Sequence, residues 1–329
     1  MPVRIGAISA LVLVAGCTGS IDLRSVPGAA ATKSARHLPP TLEGGAKHVF
    51  LSDAVFNNVT IFSRDGSNRT LAGFEEPQGI TSDASGRLYV ADTINARVAV
   101  FAPPYRNKPT SILSDSGGWP VDVAVAKDHT VAAVNICQPS GSQCSGPGGI
   151  VFYASDHSQT PCATVRGNAD MTAMLWDAFD ANGNLYFTAV LDYSKVVIAR
   201  VSGECNAESV MVLKPNIEIV WAAGIAVDPA GDVAIINGFG NSGPPSIDVF
   251  TPPSDGSRRL KVRSQQPLLD SGTISSFALT KDGSTLYTAE PHYSLAYGYP
   301  NGGYAEAQLT PPSGGDLIEG VAVVPAEVP

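Results

Sequence analysis

Short apolar runs alternate with polar turns along most of this chain, at the spacing of strands rather than helices. The clearest unit reads Pro77-Gln-Gly-Ile-Thr-Ser-Asp-Ala-Ser-Gly-Arg-Leu-Tyr-Val-Ala-Asp92. One apolar run leads into a turn of Asp, Ser and Gly, and a second run leaves it. Asp and Gly suit that turn because Asp bonds its own backbone and Gly accepts positive φ. The unit recurs at 178–187, 224–237 and 277–287, more weakly at 123–131, and as a half copy, Glu319-Gly-Val-Ala-Val-Val-Pro325. Aligned turn positions are Asp83, Ala126, Asp180, Asp228, Thr280 and Val324, spaced 43 to 54 residues apart. A third apolar strand follows each hairpin, at 58–62, 97–101, 149–153, 195–199, 246–250 and 295–299. The segments after these are more polar, as outer edges should be.

A period in this range suits one four-stranded blade per repeat. The predicted fold is therefore all-β, a six-bladed β-propeller. The first repeat lacks an inner strand, since His48-Val-Phe-Leu-Ser-Asp53 matches a second strand. The last repeat supplies only an inner strand. Residues near 318–324 should complete the blade begun at 47–73 and close the ring.

Two stretches carry a family resemblance. Leu88-Tyr-Val-Ala-Asp-Thr-Ile-Asn-Ala-Arg-Val-Ala-Val-Phe101 resembles the NHL repeat, and His48-Val-Phe-Leu-Ser-Asp-Ala-Val-Phe-Asn-Asn-Val-Thr-Ile-Phe62 is similar. The resemblance implies the NHL and TolB-like six-bladed superfamily. That group includes protein- and RNA-binding modules and lactonases of the senescence-marker-protein/gluconolactonase type, so it implies fold more than activity. Such lactonases hold a divalent metal through Glu, Asn and Asp at the channel mouth. Glu319, Asn135 or Asn237, and Asp177 have the right types, but the family's motifs do not map onto them residue by residue.

Composition agrees with a strand-rich chain. Of 329 residues only 16% are charged, while Gly (33) and Pro (25) are abundant. The formal net charge of −9 argues against a nucleic-acid partner, which needs a basic face. The densest basic cluster, Arg258, Arg259, Lys261 and Arg263, reads as an exposed outer strand.

At the start, Arg4 precedes an apolar run from Ile5 to Gly16, too short for a spanning helix and of secretory type. Val14-Ala15-Gly16-Cys17 resembles the bacterial lipobox. The expected organisation is a lipoprotein signal peptide at 1–16, a lipidated Cys17 with a flexible tether to residue 44, and a propeller over 45–329. The protein is then exported and anchored to a bacterial membrane by lipid alone. Four cysteines remain, consistent with disulfides in an exported chain. Cys137 and Cys144 flank a short polar loop. Cys162 and Cys205 occupy similar places in successive repeats, which gives the pairings Cys137–Cys144 and Cys162–Cys205.

Candidate chemistry gathers at one mouth of the ring. Second strands end in Asp53, Asp92, Asn135, Ala189, Asn237 and Glu290. Their carboxylates and amides suit a cation or a sugar, or else they cap turns locally. The three tryptophans, Trp119, Trp176 and Trp221, each fall near the start of an inner strand, as an aromatic rim or as packing between blades. Asp122, Trp176, Asp177 and Glu319 are polar or bulky where other repeats carry small or apolar residues. Asp177 departs most, since its aligned equivalents are Ile80, Val123, Ile225 and Phe277. The five histidines form no metal-spaced set, and no Walker loop, dinucleotide fingerprint or GxSxG elbow occurs. The expectation is a non-enzymatic propeller that binds an envelope protein, peptide or glycan without a cofactor. The alternative is a lactonase-like hydrolase holding Ca2+ or Zn2+.

Overall fold

Each hairpin forms through the turn its sequence favours. In the first full repeat the Asp83 N–H donates to the Arg87 carbonyl at 3.0 Å. The same backbone bond joins Ala126 to Thr130, Asp180 to Asn184, Asp228 to Asp232 and Thr280 to Thr285, at 2.8 to 2.9 Å. Where the turn begins with Asp, its carboxylate also accepts N–H groups ahead of it, as from Ser85 and Arg87 to Asp83 at 2.9 Å. The aligned positions are therefore equivalent in space as well as in sequence.

The computed structural model describes residues 41–325, apart from 116, 141–142, 146, 159, 169, 208, 239–242 and 254–256, and the backbone alone at 138–140, 143–145 and 325. The expected signal peptide and the lipidated Cys17 lie outside the described residues. Among the described residues, strands dominate and a single short 3-10 turn, Glu204–Asn206, is the helical element. No described helix is long and apolar enough to cross a membrane.

Six antiparallel sheets surround one axis. Blade 2 is representative, running from inner strand Pro77–Ser82 through Leu88–Asp92 and Arg97–Phe101 to outer strand Ser111–Ser114. Blades 3 to 6 repeat this with inner strands Pro120–Val125, Met171–Phe179, Ala222–Val227 and Ser276–Leu279. Blade 1 takes its inner strand from the far end of the described chain. Ile318–Pro325 pairs antiparallel with Ala46–Asp53, with Phe50 opposite Ala322 and Leu51 opposite Val321. The ring is thus closed as the repeat count requires, with each blade burying apolar side chains against its neighbours.

Cys162 and Cys205 form a disulfide that joins the lower loops of blades 3 and 4. Cys137 is disulfide-bonded. The other expected bridge falls on the Cys144 side chain, outside the described residues. The basic cluster lies on or beside the outer strand Arg259–Pro267 of blade 5. Two additions interrupt the repeat. A hairpin, Gln138–Ser140 with Gln143–Ser145, stands between the second and third strands of blade 3. A two-residue strand, Lys214–Pro215, runs parallel to the outer strand of blade 5.

Two faces result. The upper face carries the loops after the second strands and the entries to the inner strands. The lower face carries the first hairpin turns, and the chain enters the ring there at Ala46.

Candidate functional site

Inner strands line the channel, and each has one edge without a strand partner. Several shift register near their upper ends: between Pro77 and Ile80, Pro120 and Asp122, Met174 and Asp177, and Ala223 and Ile225. A bulge bends its strand and re-aims the side chain that follows. In blades 3 and 4 that side chain is a carboxylate. Asp177 stands opposite Phe187 as Ile80 stands opposite Val90 and Ile225 opposite Ile235. The register therefore places a carboxyl group where other blades carry an apolar residue.

Asp122 and Asp177 meet across the boundary between blades 3 and 4. The Asp177 N–H donates to Asp122 Oδ2 at 3.0 Å. Asp122 also reaches toward blade 2, where a Cβ on Gly79 would lie 2.0 Å from its Oδ1. Glycine is needed at 79 for that close approach. Burial pushes the Asp122 carboxyl up to about 7, against the N–H groups of Asp177 and Val123 that favour its charged form. Burial, and then the neighbouring Asp122, drives Asp177 well above the carboxylate range. Two carboxyl groups this close share a proton rather than both ionise. Both carboxyl oxygens of Asp177 are shut off from solvent, and its carboxyl group shares a hydrogen bond with that of Asp122.

Both carboxyl groups line a cavity of about 230 Å³ along the channel axis. It reaches Ser82, Val125, Phe179, Val227 and Leu279 at the lower ends of the inner strands. These positions are partly exposed, so the cavity opens on the lower face. Trp176 walls its upper end and meets Trp221 edge to face, with ring centroids 6.0 Å apart. Trp176 is 6% exposed and Trp221 1%, so both are interior rather than part of an open rim. Beyond Trp176 lies a void of about 10 Å³ bounded by Gln78, Val121 and Glu319, close to the space of a single water.

Glu319 sits at the upper mouth. Burial pushes its carboxyl up to about 7, with a hydrogen bond from Ser275 opposing and Glu76 and Asp53 adding to the rise. Burial likewise raises Glu76 to about 7. Trp119 is half-buried beside Glu76, Gln78 and Ile94. Sequence reasoning missed Glu76 and Gln78, which precede or begin an inner strand and carry no repeat signature.

The polar residues that end the second strands have local work. Asp92 accepts from the Glu75 N–H at 2.7 Å and from Arg97 Nε at 2.7 Å. Asn135 donates to Asp115 at 2.8 Å. Asn237 accepts from the Val220 N–H at 2.9 Å and donates to the Glu218 carbonyl at 3.0 Å. Glu290 accepts from Ser271 Oγ at 2.7 Å, and burial raises it to about 7. Asp53 accepts from the N–H groups of Phe56 and Asp316, each at 2.9 Å. Each side chain clamps a loop of the upper face to its blade. His292 is exposed there and bonds the Gly315 carbonyl. Of the predicted residues, the structure thus gathers Asp122, Trp176, Asp177 and Trp221 at the channel, puts Glu319 just above, and engages Asp92, Asn135, Asn237 and Glu290 in loops. Among the described residues no three His, Cys, Asp or Glu side chains converge as a metal-ligand set.

Residues 74–101 match the NHL repeat family. A comparison with curated protein sequences gives no match. Solved structures share the fold. A protein of unknown function from Bacteroides caccae aligns with TM-score 0.58 and 9% identity, covering 85% of this chain and 99% of that one. A functionally unknown protein from Desulfotomaculum acetoxidans gives 0.56 and 12%, covering 86% and 100%. A gluconolactonase from Xanthomonas campestris gives 0.53 and 16%, covering 76% and 82%. At these identities the likeness is one of fold.

Proposed function

We propose that this six-bladed propeller is a non-enzymatic binding module, held at the bacterial envelope through a lipidated Cys17, whose upper face receives a protein partner. One observation carries the reading. Among the described residues, five of the seven exposed large apolar side chains, Val55, Phe56, Ile94, Tyr193 and Val220, lie in upper-face loops. The other two, Ile112 and Tyr304, lie on outer strands. Val55, Phe56 and Ile94 stand on loops of the adjacent blades 1 and 2, and apolar side chains exposed side by side mark an interaction surface. The clamped loops support this, since a face held rigid before contact loses less entropy on binding. Glu75, Glu76 and Asp316 supply acidic groups on the same face, so the fitting partner presents a basic residue among apolar ones. The chain enters the ring on the opposite face, which leaves the upper face directed away from a tether attached there.

The test begins with a photo-crosslinker at Phe56 in intact cells, to identify the partner. Purified partner should then bind the wild type at least ten times more tightly than Phe56→Asp or Ile94→Asp, because truncating central anchors costs on the order of 2 kcal/mol. A lactone panel with Ca2+ or Zn2+ should show no turnover above background. Metal-dependent turnover abolished by Asp177→Asn would instead establish a lactonase, like the gluconolactonase from Xanthomonas campestris. Mass analysis of the first residue of the mature protein tests acylation of Cys17.

A further inference from the structure

We infer that the lower face is a docking surface for an anionic lipid bilayer, a membrane contact additional to the lipid, so that the ring lies on the membrane with its upper face turned outward. The inference rests on the envelope reading above for its tether, while the charge pattern stands by itself. Among the described residues, Arg97, Arg166 and Lys195 are the cations at the upper ends of the blades, and the other Lys and Arg side chains lie toward the lower face. Acids gather at the upper face, among them Asp53, Glu75, Glu76, Glu290, Asp316 and Glu319. A chain with a formal net charge of −9 thus carries most of its positive charge on one side.

Two patches dominate that side. The first borders the point where the chain enters the ring. Lys47 follows Ala46, and the Arg64 N–H donates to the Lys47 carbonyl at 3.1 Å. Arg69 lies over the Tyr105 ring, 5.6 Å from its centroid, and donates to the Pro104 carbonyl. Arg106 and Lys108 follow in the same loop, and all five cations are exposed. Burial, and then Lys47 and Arg69, hold the partly buried His48 below its ordinary value, as a positive local potential does. The second patch stands at blade 5, where Lys214 pairs with Arg259 beside Arg258 and Lys261, all exposed. In a ring of six, the boundary of blades 1 and 2 lies opposite that of blades 4 and 5. Lys127 and Lys281 occupy the lower turns of blades 3 and 6, between the two patches.

That layout selects the partner. A peptide or a small anion meets one patch at a time, whereas a flat surface meets the whole rim. The acids of this face do not cancel it. Asp65 accepts from the Ser67 N–H at 2.9 Å and Asp282 from the Ser284 N–H at 3.1 Å, so these short side chains fold onto their own hairpins. Asp83 and Asp232 pair with Arg87 and Arg263. The longer Lys and Arg stems reach further from the ring. Each cation brought to an anionic bilayer raises partitioning by about fivefold. A tether entering on the same side raises the effective concentration of that surface.

The probe is vesicles of phosphatidylcholine with phosphatidylglycerol, against phosphatidylcholine alone, sedimented with a chain of residues 18–329. That chain lacks Cys17 but keeps the whole ring between Ala46 and Pro325. We expect binding to the anionic vesicles alone, lost in about 1 M salt, where charges are screened within ~3 Å. Arg106→Gln with Lys108→Gln should weaken it at least tenfold, as should Arg259→Gln with Lys261→Gln. Joining the two pairs should reduce binding to the level of neutral vesicles. Lys195→Gln, on the upper face, should change nothing. These side chains are exposed, so the variants should keep the wild-type melting temperature. Absence of binding to the anionic vesicles would overturn the inference. So would equal binding to neutral vesicles, unchanged binding by the fourfold variant, or stronger capture of single-stranded RNA, which would assign the face to nucleic acid. The tested chain carries no acyl group and its Phe56 is untouched, so failure here leaves the crosslink and the mass analysis of Cys17 standing.

Discussion

Individual side chains show where repeat reasoning succeeds and where it stops. Asp177 was visible because the repeats align, and one carboxyl group among Ile80, Val123 and Ile225 breaks their rule. Its partnership with Asp122 was not visible, because it depends on bulges that re-aim both side chains and on Gly79 admitting Asp122 from the next blade. Asp92, Asn135 and Glu290 read from sequence as either a site or caps, and only their hydrogen-bond partners in space assign them to loops. Buried acids make a prediction at this scale. Burial raises Asp122, Glu290 and Glu319 to about 7. The folded state then holds these protons more tightly than the unfolded chain, whose carboxyls titrate near 4. Their stabilising contribution is complete below that pH and is lost as pH rises through about 7. Asp128 and Asp282, held below the usual range by hydrogen bonds from Thr130 and Thr280, act with the opposite sign but only at more acidic pH. The melting temperature should fall between pH 5 and pH 8, and the fall should be shallower in Asp177→Asn. Calorimetric melts across that range check it, and a rising profile would contradict the burial argument.

Secondary elements were legible wherever alternation and turn chemistry act together. Third strands expected at 97–101 and 149–153 appear at those bounds, and those at 58–62 and 195–199 extend by one and two residues. The strand Lys214–Pro215 was not legible, because its two residues carry no alternation and its partner lies over forty residues ahead. The Cys137–Cys144 segment read as a short polar loop, and its described backbone pairs as a hairpin, Pro139 opposite Cys144. Pairing of Cys162 with Cys205 was legible from equivalent places in neighbouring blades. This bridge closes a loop with a sequence separation of 43 residues. Replacing both cysteines by serine should cost about 4 kcal/mol on the chain-entropy model. Urea unfolding of the oxidised wild type against the double variant measures this, and equal midpoints would mean that the blade interface alone sets the stability.

Closure of the ring governs the molecule as a whole. A linear array of blades would leave two exposed sheet faces and an unpaired edge along Ala46–Asp53. The ring avoids this by pairing its first and last described strands, which buries Phe50, Leu51, Val321 and Ala322 together. That seam also fixes the channel, because Val321 to Val323 form one wall of the cavity that holds Asp122 and Asp177. Glu319 enters the upper mouth from the same strand. Deleting residues 318–329 should therefore do more than remove one strand's contacts. It exposes the apolar edge of Ala46–Asp53, opens blade 1 toward blades 2 and 6, and removes one wall of the channel. The expected result is a broad melting transition with binding of a hydrophobic dye below it. A truncated chain that melts as sharply and as high as the full one would mean that six blades hold their circle without the seam. The channel geometry would then have to arise from blade packing alone.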